Sequence, residues 1–343
     1  MTGDITTSDN KVVFLLTYKY SSDYFCTVEG YEYVDFDLYG EGETGLYTHH
    51  FDVDPTWNMS ELNAMVLIQS YSSSSKEIYQ GVTTNLWQDP TMDMTLAYSG
   101  DWVTVGLPLV MDNNYYLNIF PDGIESTLFS FNNTNGYELE TNVENGVGYW
   151  IRYPEAGGYS TLTGFEIEDI TVSLEENWNM ISGISTPVYT NAIMDPDGLI
   201  IPNTIYSFDQ GYSQAAMIFP GKGYWLRSYG DGEITITTMG GQARTKSFVN
   251  RMEDANIIKF NNIPLYFGVN VPETEIRSYS LPPKPPEGAF DVRFSNDMIY
   301  SEDSGNIELM KNKDEVNISF DIKRDADNGQ VWILVNLKDG TEY

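Results

Sequence analysis

"GVGYWIRY" at 146–153 returns as "GKGYWLRS" at 221–228, so Gly-x-Gly-Tyr-Trp-apolar-Arg is written twice, 75 residues apart. Three further landmarks keep step with it. Trp102 in "GDWVTVGLPLV" pairs with Trp178 in "ENWNMISGISTPV" at an offset of 76, and "FPDGI" (120–124) pairs with "DPDGL" (195–199) at 75. Gly136-Tyr137, closing "FSFNNTNGY" (129–137), pairs with Gly211-Tyr212, closing "YSFDQGY" (206–212), again at 75. Four landmarks in one order at nearly one spacing make residues 89–168 and 169–243 two copies of one module. On a strand, Trp150 and Arg152 share one face, while Tyr149, Ile151 and Tyr153 share the other. Trp225 and Arg227 repeat that placement. Two roles suit such a pair. One is an exposed stacking platform for a sugar ring with the Arg as donor, which makes Trp150, Arg152, Trp225 and Arg227 candidate ligand-binding residues. The other is a core plug beside a Gly-rich bend, with the Arg paired to a carboxylate. A packing residue must recur in every copy, so repetition favours the second role.

The surrounding pattern is that of strands. "YEYVDFDLYG" (31–40) and "GEITITT" (232–238) alternate apolar or β-branched residues with polar ones. Turn dipeptides recur at Asp122-Gly123, Asn135-Gly136, Asp197-Gly198, Asp231-Gly232, Asn328-Gly329 and Asp339-Gly340. Only "SELNAM" (60–65) suggests a helical turn, with Ser60 as its cap. The expected class is all-β, built of tandem β-sandwich or small-barrel modules. Residues 1–88 form an N-terminal β-sandwich domain. Residues 244–343 comprise a connector, a proline-rich strut and a C-terminal β-domain. The strut is "SLPPKPPEGAF" (280–290), where four prolines enforce extended geometry outside any ladder.

Composition narrows the partners. The 343 residues carry 50 Asp and Glu against 18 Lys and Arg, a formal net charge of -32. Residues 1–243 hold six of the cations (Lys11, Lys19, Lys76, Arg152, Lys222 and Arg227) and about -27 of that charge. Such a field repels phosphate backbones and anionic lipid, so neither nucleic acid nor a membrane surface is an expected partner. No apolar run reaches the length of a membrane span, and "VVFLL" (12–16) is strand-sized, so no membrane span is expected. Lone Cys26 leaves no internal disulfide. Residues 1–10 lack the pattern of a signal peptide. The last residues read as a strand, a Lys-Asp-Gly turn and the start of a return strand, as in a piece of something longer.

Catalytic patterns are scarce. The histidines are His49 and His50, adjacent and on opposite faces if extended. No Gly-x-Ser-x-Gly elbow, zinc spacing, phosphate loop or dinucleotide loop occurs, and Cys26 alternates like a packed strand residue. Fifty acids offer too many pairs for residue type alone to point to a glycosidase. The turns at Asp195 and Asp197 ("DPDGL") and at Asp325 and Asp327 ("DADNG") group carboxylates about a Gly, as calcium loops do. Neither completes a twelve-residue calcium loop. Calcium is the one cofactor the sequence suggests.

The second copy, from "NWNMISGISTPV" to "FPGKGYWLRSYGDGEITI", resembles the tandem β-modules near the C-termini of bacterial surface and secreted proteins exported by the type IX pathway. Trp178 to Ser182, Tyr206 to Tyr212, and Pro220 to Leu226 carry that likeness. The first copy departs from it, with Asn145 and Val147 in place of the Pro and Lys. "LYFGVNVPETEIRSYSLPPKPPEGAFDVRF" (265–294) is similar to the segment that joins such modules to a C-terminal sorting domain. In the N-terminal part, "FDVDPTWNMSELNAMVLIQ" and "KEIYQG" resemble the β-domain of outer-membrane lipoproteins that carry a thioredoxin-like domain. These likenesses imply export, extracellular or cell-surface residence, and all-β modules. They bring no catalytic residues. The expected function is therefore a non-catalytic structural, scaffold or adhesion protein of a bacterial surface that assembles with itself. The alternatives are a glycan-binding module and the accessory end of a larger secreted hydrolase.

Overall fold

The computed structural model describes residues 9–21, 24–27, 32–36, 38, 45–53, 62–71, 77–85, 91–238, 248–311, 315–323 and 331–342. The protein is all-β, with several separate antiparallel sheets and, among the described residues, only short helical turns. Packing divides the chain into two compact units, Met1–Pro90 and Thr91–Tyr343.

In the first unit the long strand Asn10–Ser21 pairs with Tyr24–Thr27, Glu32–Asp35 and Leu62–Ser70, and the last of these pairs with Ile78–Asn85. Val12, Phe14 and Phe36 form its buried cluster. The helical turn expected near 60–65 is not formed over Leu62–Met65, which belong to a strand. Pairing with Asn10–Ser21 and complete burial of Leu62 decide the matter, since a distant partner outweighs the propensity of six residues.

In the second unit the repeat copies have one topology. Copy 1 orders its four-stranded sheet as Asp101–Gly106, Gly148–Tyr153, Phe129–Asn132, Gly136–Leu139. Copy 2 orders the equivalent strands as Asn177–Ser182, Gly223–Ser228, Tyr206–Phe208, Tyr212–Gln214. Each copy adds a strand pair, Met92–Tyr98 with Gly158–Glu166 in copy 1 and Asp169–Leu174 with Gly232–Thr237 in copy 2. The strand alternation then separates two cores. Tyr149, Ile151 and Tyr153 enter the core of copy 1 beside Val105 and Leu162. Tyr224 and Leu226 enter that of copy 2 beside Ile181, Ile234 and Ile236. Backbone details repeat as well. Asp101 (φ 72°) and Asn177 (φ 79°), each just before its Trp, lie in the left-handed region, as do Gly146 (φ 82°) and Gly221 (φ 75°). Asp and Asn accept that conformation more readily than other non-Gly residues.

The C-terminal part forms a hairpin, Asn256–Phe260 with Ile263–Phe267, turned by Asn261 and Asn262, both at positive φ as a tight hairpin turn requires. Ile318–Asp321 extends this sheet, and Asp291–Phe294 pairs with Ile307–Met310. "VWILVNL" (331–337) keeps the expected alternation, with Trp332 and Leu334 packed on the C-terminal cluster. Among the described residues it forms only an isolated bridge, Val335 with Glu342, so the alternation is present there without a ladder.

Candidate functional site: an aromatic face shared by the two copies

Trp150 and Trp225 point away from their own modules, and there the copies meet each other. The meeting is reciprocal. Gly106 N donates to Gly221 O at 3.2 Å and Ser182 N donates to Gly146 O at 2.9 Å. Val105 bridges Lys222, while its counterpart Ile181 bridges Val147. The same surface is used on both sides, as in an isologous dimer, but within one chain. This contact explains the repeated glycines. A Cβ on Gly148 would lie 2.6 Å from Ile181 O, and one on Gly223 would lie 2.7 Å from Val105 O. Gly148 and Gly223 let the partner copy's backbone approach, while Gly146 and Gly221 face its side chains, Ile170 and Leu96.

The rings follow the same two-fold relation. Trp150 meets Phe208 of copy 2 at 4.6 Å between centroids, and Trp225 meets Phe131 of copy 1 at 4.8 Å, both edge to face. Tyr212 stands 6.4 Å from Trp150, and Tyr137 stands 6.5 Å from Trp225. Within each copy the landmark tryptophans are also T-shaped, Trp102 with Trp150 at 6.5 Å and Trp178 with Trp225 at 6.3 Å. Such edge-to-face pairs add roughly 0.5–1.5 kcal/mol each beyond the area they bury. Thr127 and Thr204 fix the motif strand from behind. Their hydroxyls accept from Arg152 N (3.1 Å) and Arg227 N (3.3 Å), and donate to Ile124 O (2.6 Å) and Ile201 O (2.7 Å).

The proline-rich segment closes this face. Leu281 and Ala289 belong to the same buried cluster as the four tryptophans and tyrosines. Tyr212 Oη donates to Pro283 O and Tyr137 Oη to Lys284 O, each at 2.7 Å, and Trp102 Nε1 donates to Glu287 O at 3.1 Å. Burial pushes both tyrosine hydroxyls above the usual tyrosine range, so they remain donors. The segment expected to be an extended strut is a strap laid over both copies. Its prolines exclude it from a ladder, as expected, and that same lack of a ladder leaves carbonyls available to aromatic donors. Beneath it, fully buried Arg293 holds Asp291 through two hydrogen bonds of 2.6 and 2.8 Å and donates to Pro282 O at 2.8 Å. Burial works against that charge, and Asp291 more than offsets it, so the guanidinium stays above its ordinary range.

The candidate residues can now be placed. Trp150 and Trp225 have no exposed surface, so they are core plugs and not platforms for a sugar ring. Arg152 is exposed and paired to Asp101 at 3.1 Å. Arg227 is half-buried, stands over Trp178 at 5.6 Å and donates to Ser280 Oγ at 2.6 Å. Burial and then nearby Arg277 lower its affinity for the proton. Asp195 uses its two oxygens on Leu199 N (2.8 Å) and Ile200 N (2.9 Å), the work of a turn residue, and Asp197 is exposed. Asp325 and Asp327 lie outside the described residues. Among the described residues no group of three His, Cys, Asp or Glu side chains is placed to hold a metal ion. His49 packs between Phe14 and Phe51 in the first unit. Among the described residues no helix is long and apolar enough to cross a membrane.

The sequence marks Tyr137 and Tyr212 as landmarks without giving them a role at the site, and Phe131 and Phe208 lie inside the same landmarks without being singled out. Their signal was the retention of two aromatics through a shortened loop. Compared with known proteins, the chain matches no family model, no curated protein and no solved structure.

Proposed function

We propose that this chain is a non-catalytic structural protein of a bacterial cell surface, a scaffold or adhesion subunit that assembles with copies of itself. The observation that carries this reading is an apolar strand edge. Ile318–Asp321 ends its sheet among the described residues, and Ile318, Phe320 and Ile322 expose 42 %, 50 % and 45 % of their surface. A cavity of about 500 Å³, lined by Ile258, Phe294, Phe320 and Trp332, opens beside it. An unpaired edge with an apolar face is a template for a strand of another chain. The aromatic face supports a structural role, because Trp102, Tyr137 and Tyr212 donate to the chain's own carbonyls. Extracellular residence and type IX export rest on the resemblance of the second copy. Negative-stain electron microscopy of the purified full chain, in calcium and then in chelator, tests the proposal. Ordered filaments or sheets are expected. Their loss in chelator would give the acidic turns a role in assembly. Dispersed single particles in both conditions would overturn self-assembly.

A further inference from the structure

The two copies part where an aromatic plug in one is missing from the other. In copy 1, Tyr116 is only 4 % exposed and its hydroxyl oxygen accepts from Ser126 N at 2.8 Å, while Phe120 is fully buried. Tyr116 N donates to Thr141 O at 3.1 Å, and Thr190 N donates to Ala216 O at 3.0 Å, so Thr190 holds the place of Tyr116. In the aligned turns, Asp195 of "DPDGL" stands where copy 1 has Phe120. Two rings that fill copy 1 are thus a threonine and an aspartate in copy 2. A cavity of about 520 Å³ opens there, lined by Thr190 and Asp195 together. That size lies within the usual range for small-molecule sites.

The lining chemistry selects the ligand. Ile193 and Ile205 are buried and give an apolar floor, and Ile200 and Phe248 add half-buried apolar surface. Asn191, Asn203 and Gln214 bring amide groups, and Thr190 a hydroxyl. Among the described residues Asp195 is the only ionisable one in the lining, with both oxygens on backbone N–H groups, and none of them is a cation that could hold an anion. Asn203 Nδ2 already donates to Ser278 O at 3.1 Å and Thr190 Oγ1 to Ala216 O at 3.2 Å. A wholly apolar ligand would still strip water from the remaining polar atoms of the lining without replacing their hydrogen bonds. We propose that this cavity binds a neutral carbohydrate, one pyranose ring or a short oligosaccharide. Its hydroxyls meet the amides and Thr190, and its C–H face lies on Ile200 and Phe248. The site is separate from the buried tryptophans and does not depend on self-assembly.

Saturation-transfer difference NMR on the full chain tests this, with cellobiose and N,N′-diacetylchitobiose as neutral probes, glucuronic acid as the anionic probe and hexanol as the apolar one. Saturation of at least one neutral disaccharide is expected, with none of glucuronic acid. Thr190→Tyr, which restores the plug of copy 1, should abolish the signal at an unchanged melting temperature. Asn191→Ala, at an exposed position, should weaken the signal and leave the fold intact even where the bulkier change does not fold. Saturation of hexanol alone, no saturation of either disaccharide, or a sugar signal untouched by both variants would each overturn the proposal.

Discussion

Copy 1 and copy 2 agree at the rings and close-approach glycines where they face each other, although Val105, Gly106 and Val147 of that seam have Ile181, Ser182 and Lys222 in the equivalent places. The agreement covers Trp150 and Trp225, Phe131 and Phe208, Tyr137 and Tyr212, and the close-approach glycines Gly148 and Gly223. Differences that change a side chain's partner lie elsewhere. Asp101, which pairs Arg152, is Asn177 in copy 2, and Arg227 turns instead to Ser280 of the strap. Tyr116 and Phe120 give way to Thr190 and Asp195. A contact that a surface makes with its own duplicate holds both versions to one shape, whereas a surface facing solvent or the strap holds neither. The repeated motif is therefore the signature of an interface.

The largest expected effect would break this comparison at its centre. Trp150→Ala and Trp225→Ala should each destabilise the second unit by about 3–5 kcal/mol, since each ring is fully buried. Matching losses in urea unfolding are expected. A loss at one position but not the other would show that the two rings are not equivalent. Next come the glycines. Gly148→Ala and Gly223→Ala place a methyl against the partner copy's backbone and should cost about 1–3 kcal/mol each, again as a matched pair. The smallest effect is also the asymmetric one. Arg152→Ala removes an exposed ion pair and should change stability by about 0.5 kcal/mol or less. Arg227→Ala removes a ring contact and a bond to the strap, and should cost about 1–2 kcal/mol. Equal values from thermal unfolding of these two variants would refute the difference in their surroundings.

Most of the module was legible in the sequence, because its landmarks recur and strand alternation sorts Tyr149 from Trp150 without any structure. What covers the Trp150 face was not legible. A period of two tells which residues share a side, and says nothing of a partner far along the chain such as Phe208. The strap shows the same limit. "PPKPP" announces extended backbone, but nothing near it announces that Tyr137 and Tyr212 donate to its carbonyls. Leu62–Met65 failed in the opposite sense, since a local hint of helix yielded to Asn10–Ser21. The candidate tryptophans were correctly singled out as special. Their burial, which changes what they are for, depends on a second copy folding against the first.

The reciprocal contact between Gly146, Val105 and their counterparts has one more consequence. In a dimer of identical subunits every substitution appears on both sides of the axis, so its cost is doubled and a ligand site arises twice or not at all. Here one reading frame encodes both halves, and a change such as Tyr for Thr at the outer end is tried once. The covalent link converts a symmetric assembly into a pair of sites that drift independently while their shared seam is held in place. A single strap running one way across that seam then gives the pair a head and a tail.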